Sequence, residues 1–449
     1  MVRPISNDTS SDIHQENDAP LEFIGDIDSS LEIPDGADIL IVSKDQSYLT
    51  HGIHKFPAKF FPELPRYLIQ RYSEVNDTIL DPMCGSGTTI LEAALCRRKS
   101  IGIDIDSIAR LITHVKTTPI DPAILENIIT SLTQQIQKYS LSSEYHPEIP
   151  VFNYRDNWFR PHVLSELCII RDCIESLPEV HDVYSVHEWS DIRDFFRIAM
   201  SSIIRDVSNA DPHCTRTVLR KKVIKKIDPG DTISKFLVAL FEQAKAMKDL
   251  WSVYSSMKNW EVSIPEGTAT NTGLTDASVD LVVTSPPYIN AVDYPRTHQL
   301  EMYWLGFLGD ESLSTVKRKY IGTETVYKRE YSELSVSGLD SLDPVLKEIF
   351  KQDPRRSFIT YMFFRDMETQ LRETMRVLKP GGRYCIAIGS NLIRGVQVKS
   401  HEILSEISTV NVGFELERTF FSKLIRHFIR IPRKERMLGE WILILKKPS

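Results

Sequence analysis

The strongest constraint on the fold is a short run, Thr78-Ile79-Leu80, that leads into Asp81-Pro82-Met83-Cys84-Gly85-Ser86-Gly87-Thr88-Thr89. An apolar strand that breaks into a glycine turn and reopens as an apolar helix (Thr89–Cys96) is the start of a βαβ unit. A second strand, Ser100–Ile105, follows and brings Asp104 and Asp106 to its end. Glycine is needed where backbone approaches a ligand closely or takes positive φ, and a helix opening there leaves free N–H groups facing that ligand. An acid about twenty residues beyond the glycines accepts hydrogen bonds from ribose hydroxyls. This order predicts the front half of a Rossmann-like α/β unit holding a nucleotide-like ligand. It does not distinguish a dinucleotide from S-adenosylmethionine.

Further along, the α/β rhythm is interrupted. Ile124–Tyr139, Val163–Leu177, Ile192–Val207 and Ile233–Met257 carry helical spacing, so residues 119–260 read as a helical insertion. Strands resume at Val279–Thr284, Arg383–Gly389 and Trp441–Lys446, with helices at Glu368–Leu378 and Ile403–Val412. The sheet domain is therefore expected at 41–118 and 261–449. Residues 310–357 are polar and weakly periodic and read as a loop that orders on binding.

The net charge of −7 at first argues against a nucleic-acid partner. Residues 1–40 alone carry −9, from ten acids and Arg3, which leaves +2 on the rest. That segment reads as an acidic disordered tail. Two stretches, 193–226 and 418–436, each carry +6, enough to track phosphates if folded onto one face. Solvated helix faces are the plainer account of both. The six cysteines show no C-x-x-C pair and no metal-ligand spacing, which points to a reduced cytoplasmic protein and to no metal. No run of about 18 apolar residues is present, so no membrane partner is expected.

The strand Val279–Val283 ends in Thr284-Ser285-Pro286-Pro287-Tyr288. Two prolines fix φ and remove two N–H donors, so the local carbonyls serve as acceptors. Ser285 adds a hydroxyl, and Tyr288 adds a ring able to stack on a base. Such a group is suited to an exocyclic amine, whose two hydrogens it can accept.

On these motifs the chain resembles the amino-group DNA methyltransferases, which modify cytosine N4 or adenine N6. The resemblance covers Asp81–Thr89, Thr284–Tyr288 and the segment His54-Lys55-Phe56-Pro57-Ala58-Lys59-Phe60, with weaker likeness at Gly381–Asn391 and Arg436–Lys447. It implies a class I S-adenosylmethionine-dependent methyltransferase fold with a mostly parallel seven-stranded sheet, S-adenosylmethionine as cofactor, and a base flipped out of double-stranded DNA. It also implies a role in restriction-modification or related DNA protection, alongside a cognate restriction system.

Carried over by position, Phe56 and Lys59 border the methionine end of the cofactor. Gly85 and Gly87, with Cys84 and Thr88 in the same turn and Asp81 nearby, form its cradle, and Asp104 holds the ribose. Ser285, Pro286, Pro287 and Tyr288 grip the target. Serine before the proline pair is associated in the family with cytosine N4, whereas aspartate or asparagine there accompanies adenine N6; an RNA amino-methyltransferase and a catalytically silent DNA-binding module are the other readings. Glu266-Gly267-Thr268-Ala269 stands where the family often has Gly-Asp-Ala, and the contact to the cofactor adenine stays unassigned. The insertion is the candidate target-recognition region, with a pocket-shaping cap as its alternative. Arg216, Arg220, Lys221, Lys222, Arg296 and His298 are the candidate nucleic-acid contacts, and His298 is a candidate general base although amine methylation requires none.

Overall fold

Apolar runs without polar alternation belong inside a parallel sheet, where both faces are covered. The computed structural model of the chain bears this out for the central strands; it describes residues 19–177, 186–219, 225–289, 292–423 and 438–449. The strands in chain order are β1 (Leu21–Ile24), β2 (Asp38–Val42), β3 (Thr78–Asp81), β4 (Lys99–Gly102), β5 (Val262–Ser263), β6 (Val279–Thr284), β7 (Leu378–Ile388), β8 (Asn391–Ile393), β9 (Val396–Val398), β10 (Glu415–Lys423) and β11 (Gly439–Lys446). β8 and β9 form a small separate hairpin. The others form one sheet in the order β1-β2-β10-β11-β7-β6-β3-β4-β5.

Within that sheet β11 runs antiparallel to both its neighbours. The remaining pairings are parallel. From β3 the chain builds outward through β4 and β5, then returns to place β6 on the other side of β3. The strand order reverses between β3 and β6, and such a reversal opens a crevice at the carboxyl ends of the two strands. The glycine turn leaves one of these ends and Ser285 the other. This is the α/β class I methyltransferase fold expected from sequence.

The sheet has nine strands rather than seven. The additional two come from residues 21–42, most of which read as part of the acidic tail; residues 1–18 lie outside the described residues. β2 pairs in parallel with β10 at the register Phe421↔Asp38. The acids of this segment serve as partners for basic residues far along the chain. Glu32 pairs with Arg418, Asp35 accepts the Thr419 N–H at 2.7 Å, and Lys423 lies 2.8 Å from Asp38. The division into an acidic start and a basic end in sequence is thus partly neutralised in space. The rest of the second basic stretch, 424–436, lies outside the described residues.

The helices on the first half of the sheet are α1 (Glu63–Tyr72), α2 (Thr88–Leu95) and α3 (Ser107–Thr117). The Asp106 carboxylate caps α3, accepting from Ile108 N at 2.8 Å and Ala109 N at 3.4 Å. The insertion supplies α4 (Pro122–Leu141), α5 (Arg155–Trp158), α6 (Pro161–Glu175), α7 (Val186–Val207) and α8 (Asp231–Tyr254). Leu125, Ile129, Leu132 and Ile136 put one apolar stripe of α4 into its core, as their spacing requires. That core also takes in Ile112 of α3 and Leu300 and Trp304, beyond the catalytic strand. The helical layer is therefore continuous with the sheet domain, not an appendage to it.

After β6 come α9 (Tyr294–Thr297), α10 (Gln299–Trp304), α11 (Leu313–Lys317), α12 (Asp343–Gln352), α13 (Pro354–Val377) and α14 (Ser400–Glu406). Residues 310–357, read from sequence as a loop, contain two of these helices. Leu342, Leu346 and Ile349 are buried against the sheet-side core. Their helical spacing was masked by polar residues on the opposite face. Among the described residues no helix is long and apolar enough to cross a membrane.

Candidate active site

The crevice between β3 and β6 encloses about 1340 Å³ of empty space, its open mouth included. Its floor is the turn Asp81–Ser86 with Thr88 and Thr89. Phe56 and Ala58–Phe60 form one wall, and Asp104–Asp106 with Thr268–Thr270 form another. Ser285 and Pro287 enter from β6, and residues 319–325 roof the whole. Most residues expected at the cofactor and the target thus meet in one cavity, although they are more than 200 positions apart in sequence.

The two ends of the site are joined beneath the surface. Thr284 Oγ1 donates to Asp81 Oδ1 at 2.6 Å, and the same oxygen accepts Met83 N–H at 3.1 Å. Asp81 is buried, and burial pushes its carboxyl up to about 6 against these hydrogen bonds. This contact fixes the residue before Ser285 to the first residue of the glycine turn. Cys84 is buried under the turn, with its thiol 3.7 Å from Thr113 Oγ1, and burial drives its ionisation well up. It therefore packs as a neutral thiol.

The two glycines serve different purposes. Gly85 has φ +50° and lines the cleft; a Cβ there would sit 3.1 Å from Phe56 Cε1. Gly87 has φ +74° and lies off the cleft wall, and a Cβ there would lie 2.6 Å from Thr113 Cγ2. The backbone cradle expected of both narrows to Gly85, and Gly87 is required by the packing of α3.

Asp104 Oδ2 accepts the Gly85 N–H at 2.8 Å and its Oδ1 accepts the Asp106 N–H at 2.8 Å. Both oxygens keep a lone pair for a further donor from the cleft. Burial, then the adjacent Asp106 charge, push its carboxyl up to about 7. Lys59 Nζ donates to the His51 carbonyl at 2.7 Å, and burial pulls its ammonium down to about 8. These residues fit a nucleoside-bearing cationic cofactor: an acid at the hydroxyl-binding end, a backbone cradle with no room for a side chain, and a stack of aromatic walls. Glu266, one possible stand-in for the adenine contact, is exposed and off the cleft; Thr268–Thr270 line it instead.

At the catalytic end Ser285 lines the cleft, and its hydroxyl makes no hydrogen bond to the described residues. Pro286 is buried, and Pro287 joins Ser285 on the wall. Tyr288 is off the wall: its hydroxyl donates to Glu440 of β11, and burial followed by that carboxylate keeps the phenol protonated. The ring that faces the cleft is Tyr294, stacked on Phe56 with centroids 5.6 Å apart at 26°. Sequence spacing points to Tyr288 because it adjoins the prolines, and to Tyr294 only as one of several residues after the loop able to shape the pocket.

The proposed nucleic-acid residues are scattered. Arg216 lines the cleft and lies 3.8 Å from Glu324 of the roof. Arg296 is exposed. His298 is buried behind Phe56, with its Nδ1 3.4 Å from Asp106 Oδ2 and its ring 5.1 Å from the Phe56 ring. That position removes it both as a phosphate contact and as a general base facing the cleft. Arg220, Lys221 and Lys222 lie outside the described residues. Residues that sequence reasoning did not single out for the site are Tyr320–Thr325, which come from the segment without periodicity, and Thr270.

Comparison with known proteins adds the following. A family model described as DNA methylase (N6_N4_Mtase) matches residues 32–113. Type II methyltransferase M.MvaI of Kocuria varians is 25% identical over 416 residues, covering 86% of this chain and 88% of that protein. Type II methyltransferase M.AvaI of a Nostoc species is 22% identical over 457 residues, covering 91% and 90%. Among solved structures, the rRNA methyltransferase AviRa of Streptomyces viridochromogenes aligns over 90% of this chain and 94% of its own at 10% identity and a TM-score of 0.34.

Proposed function

For a chain that belongs to the amino-group DNA methyltransferases and takes S-adenosylmethionine as methyl donor, we propose that the target is N4 of cytosine in duplex DNA. The base is turned out of the helix to reach the cleft, and the reaction serves a type II modification role. The observation that carries this reading is Ser285: a hydroxyl with no partner among the described residues, at the mouth of β6, in one cavity with the glycine turn. The serine, where adenine-N6 enzymes of the family carry aspartate or asparagine, favours cytosine.

When bound, S-adenosylmethionine supplies an electrophilic methyl on a sulfonium sulfur. The chain's own residues prepare the acceptor. Ser285 Oγ accepts one amine hydrogen and a backbone carbonyl of the Ser285–Pro287 wall the other, which draws the nitrogen from planar toward sp³ and frees its lone pair for in-line attack. The buried Thr284–Asp81 hydrogen bond holds this pair at a set distance from the cofactor turn. Tyr288, tied to Glu440, braces the proline loop against β11. Phe56 and Tyr294 offer apolar faces to the ligands. The amine proton leaves to water after transfer, so His298 is not needed. Of the candidate phosphate contacts, Arg216 on the cleft wall and Arg296 on the exposed surface are the two left in position to meet DNA.

The test is transfer of labelled methyl from S-adenosylmethionine to duplex DNA, followed by nucleoside mass spectrometry. N4-methylcytosine is the expected product. N6-methyladenine would refute the base assignment, and product on RNA alone would refute the DNA assignment.

A further inference from the structure

The roof of the cleft carries one side chain that the reaction above does not use. Tyr320 lines the cavity, and its hydroxyl oxygen is shielded from solvent yet has no hydrogen-bond partner among the described residues. A buried hydroxyl is ordinarily satisfied, and one left open inside a ligand cavity points to a ligand atom as its partner. The charges acting on it are Asp106 and Asp104, the acids at the nucleoside end of the cradle, followed by Arg110 and Asp293; with burial, the acids hold the phenol in its neutral, donating form.

Tyr320 is held firmly in place. On one side Lys317 Nζ lies 2.5 Å from Asp293 Oδ2. On the other, Arg356 pairs with Glu324 at 2.8 Å and Arg355 donates to the Glu324 carbonyl at 2.6 Å. Arg318 spans the segment and donates to the Thr325 carbonyl at 3.1 Å. Between these anchors Gly322, at φ +76°, turns the chain across the cleft above Phe363 and the Tyr288 carbonyl.

We propose that Tyr320 is a cofactor-contacting residue, its hydroxyl bonding to the ribose hydroxyls of S-adenosylmethionine beside Asp104, with residues 317–325 forming the outer wall of the nucleoside site. This rests on the cleft being the S-adenosylmethionine site. It assigns the cofactor's outer contact to an insertion that carries none of the cofactor motifs. The other occupant within reach is the flipped nucleotide; that Asp106 and Asp104 are the strongest charges acting on the Tyr320 hydroxyl favours the cofactor, whose ribose Asp104 would hold.

The experiment is calorimetric binding of S-adenosylmethionine and S-adenosylhomocysteine to DNA-free wild type and to Tyr320→Phe, which keeps the ring and removes only the hydroxyl. Loss of one hydrogen bond raises both dissociation constants about fivefold to tenfold, with the ligand-free melting temperature unchanged. A ribose-deoxy cofactor analogue should bind wild type more weakly than the cofactor does, and Tyr320→Phe should weaken its binding less than it weakens the cofactor's, Asp104 remaining in both. Unchanged cofactor affinity in Tyr320→Phe overturns the proposal, as does an unchanged cofactor affinity accompanied by a raised KM for DNA, which assigns the hydroxyl to the target. Failure of the wild type itself to bind the cofactor would refute the underlying reading of the cleft, a result distinct from either.

Discussion

Replacing Gly87 by alanine separates two reasons for a glycine in this motif. The residue has φ +74°, and a Cβ there would meet Thr113 Cγ2 at 2.6 Å, Oγ1 at 2.7 Å and Cβ at 3.0 Å. The left-handed backbone costs an alanine about 1–2 kcal/mol. Forcing a methyl against a packed side chain adds about 1–3 kcal/mol. Thr113 has little freedom to yield, because its hydroxyl donates to the Gly85 carbonyl at 3.0 Å. The expected loss is about 2–5 kcal/mol from the sum of these two terms. A chain of 449 residues has an unfolding entropy near 0.9 kcal/mol per kelvin, so each kcal/mol lowers an all-or-none melting temperature by about 1 °C.

The assay is thermal melting of ligand-free Gly87→Ala, of Thr113→Ala and of the double variant, with cofactor affinity measured on each. Thr113→Ala removes the two closest atoms, so the double variant should be more stable than the sum of the single effects by about 1–2 kcal/mol, as expected for residues in direct contact. Cofactor affinity should fall only insofar as the strain displaces Gly85. The packing argument is refuted if Gly87→Ala melts with wild type yet fails to bind cofactor. That result would place the ligand, not α3, against Gly87.

Ser285→Ala should lower turnover about 100-fold by losing acceptor positioning, with calorimetric cofactor affinity unchanged; full turnover would remove the amine-gripping role. Arg66→Met should be strongly destabilising, because Glu92 is fully buried and is held by Arg66 at 2.7 Å together with His51 and Tyr48; stranding that carboxylate costs about 3–5 kcal/mol, readable by denaturant or heat. Asp104 has a carboxyl raised from 3.8 to about 7, so between those values the folded chain retains a proton that the unfolded chain releases. Its contribution to ligand-free stability therefore declines as pH rises through that window and levels off above about 7. Asp104→Asn cannot titrate, so the stability of wild type relative to this variant should fall over the same interval; a constant difference would show that Asp104 is already ionised at low pH.

Which parts of the site were legible follows from where each partner lies in the chain. The cofactor turn and the proline pair were readable because strand, turn and helix are adjacent in sequence, and φ preference and lost donors act locally. Gly85 and Gly87 look equivalent in the motif, yet one abuts Phe56 and the other Thr113; that difference exists only after α3 packs. Likewise Tyr288 and Tyr294 follow the same loop. Which ring enters the cleft is decided by Glu440, 152 positions away, which takes the Tyr288 hydroxyl and leaves Tyr294 beside Phe56. The acidic opening segment was misread for the same reason. β1 and β2 are apolar but only four and five residues long in a segment dominated by acids, and nothing within residues 21–42 announces that Phe421 will pair beside Asp38 or that Arg418 will need Glu32. Composition predicts solvation when a charge has no partner nearby in sequence, and here the partners arrive from the far end of the chain. The same logic locates Tyr320: its segment lacks periodicity because its contacts run across the cleft, to Asp293 through Lys317 and to Arg356 through Glu324, and not along a helix face.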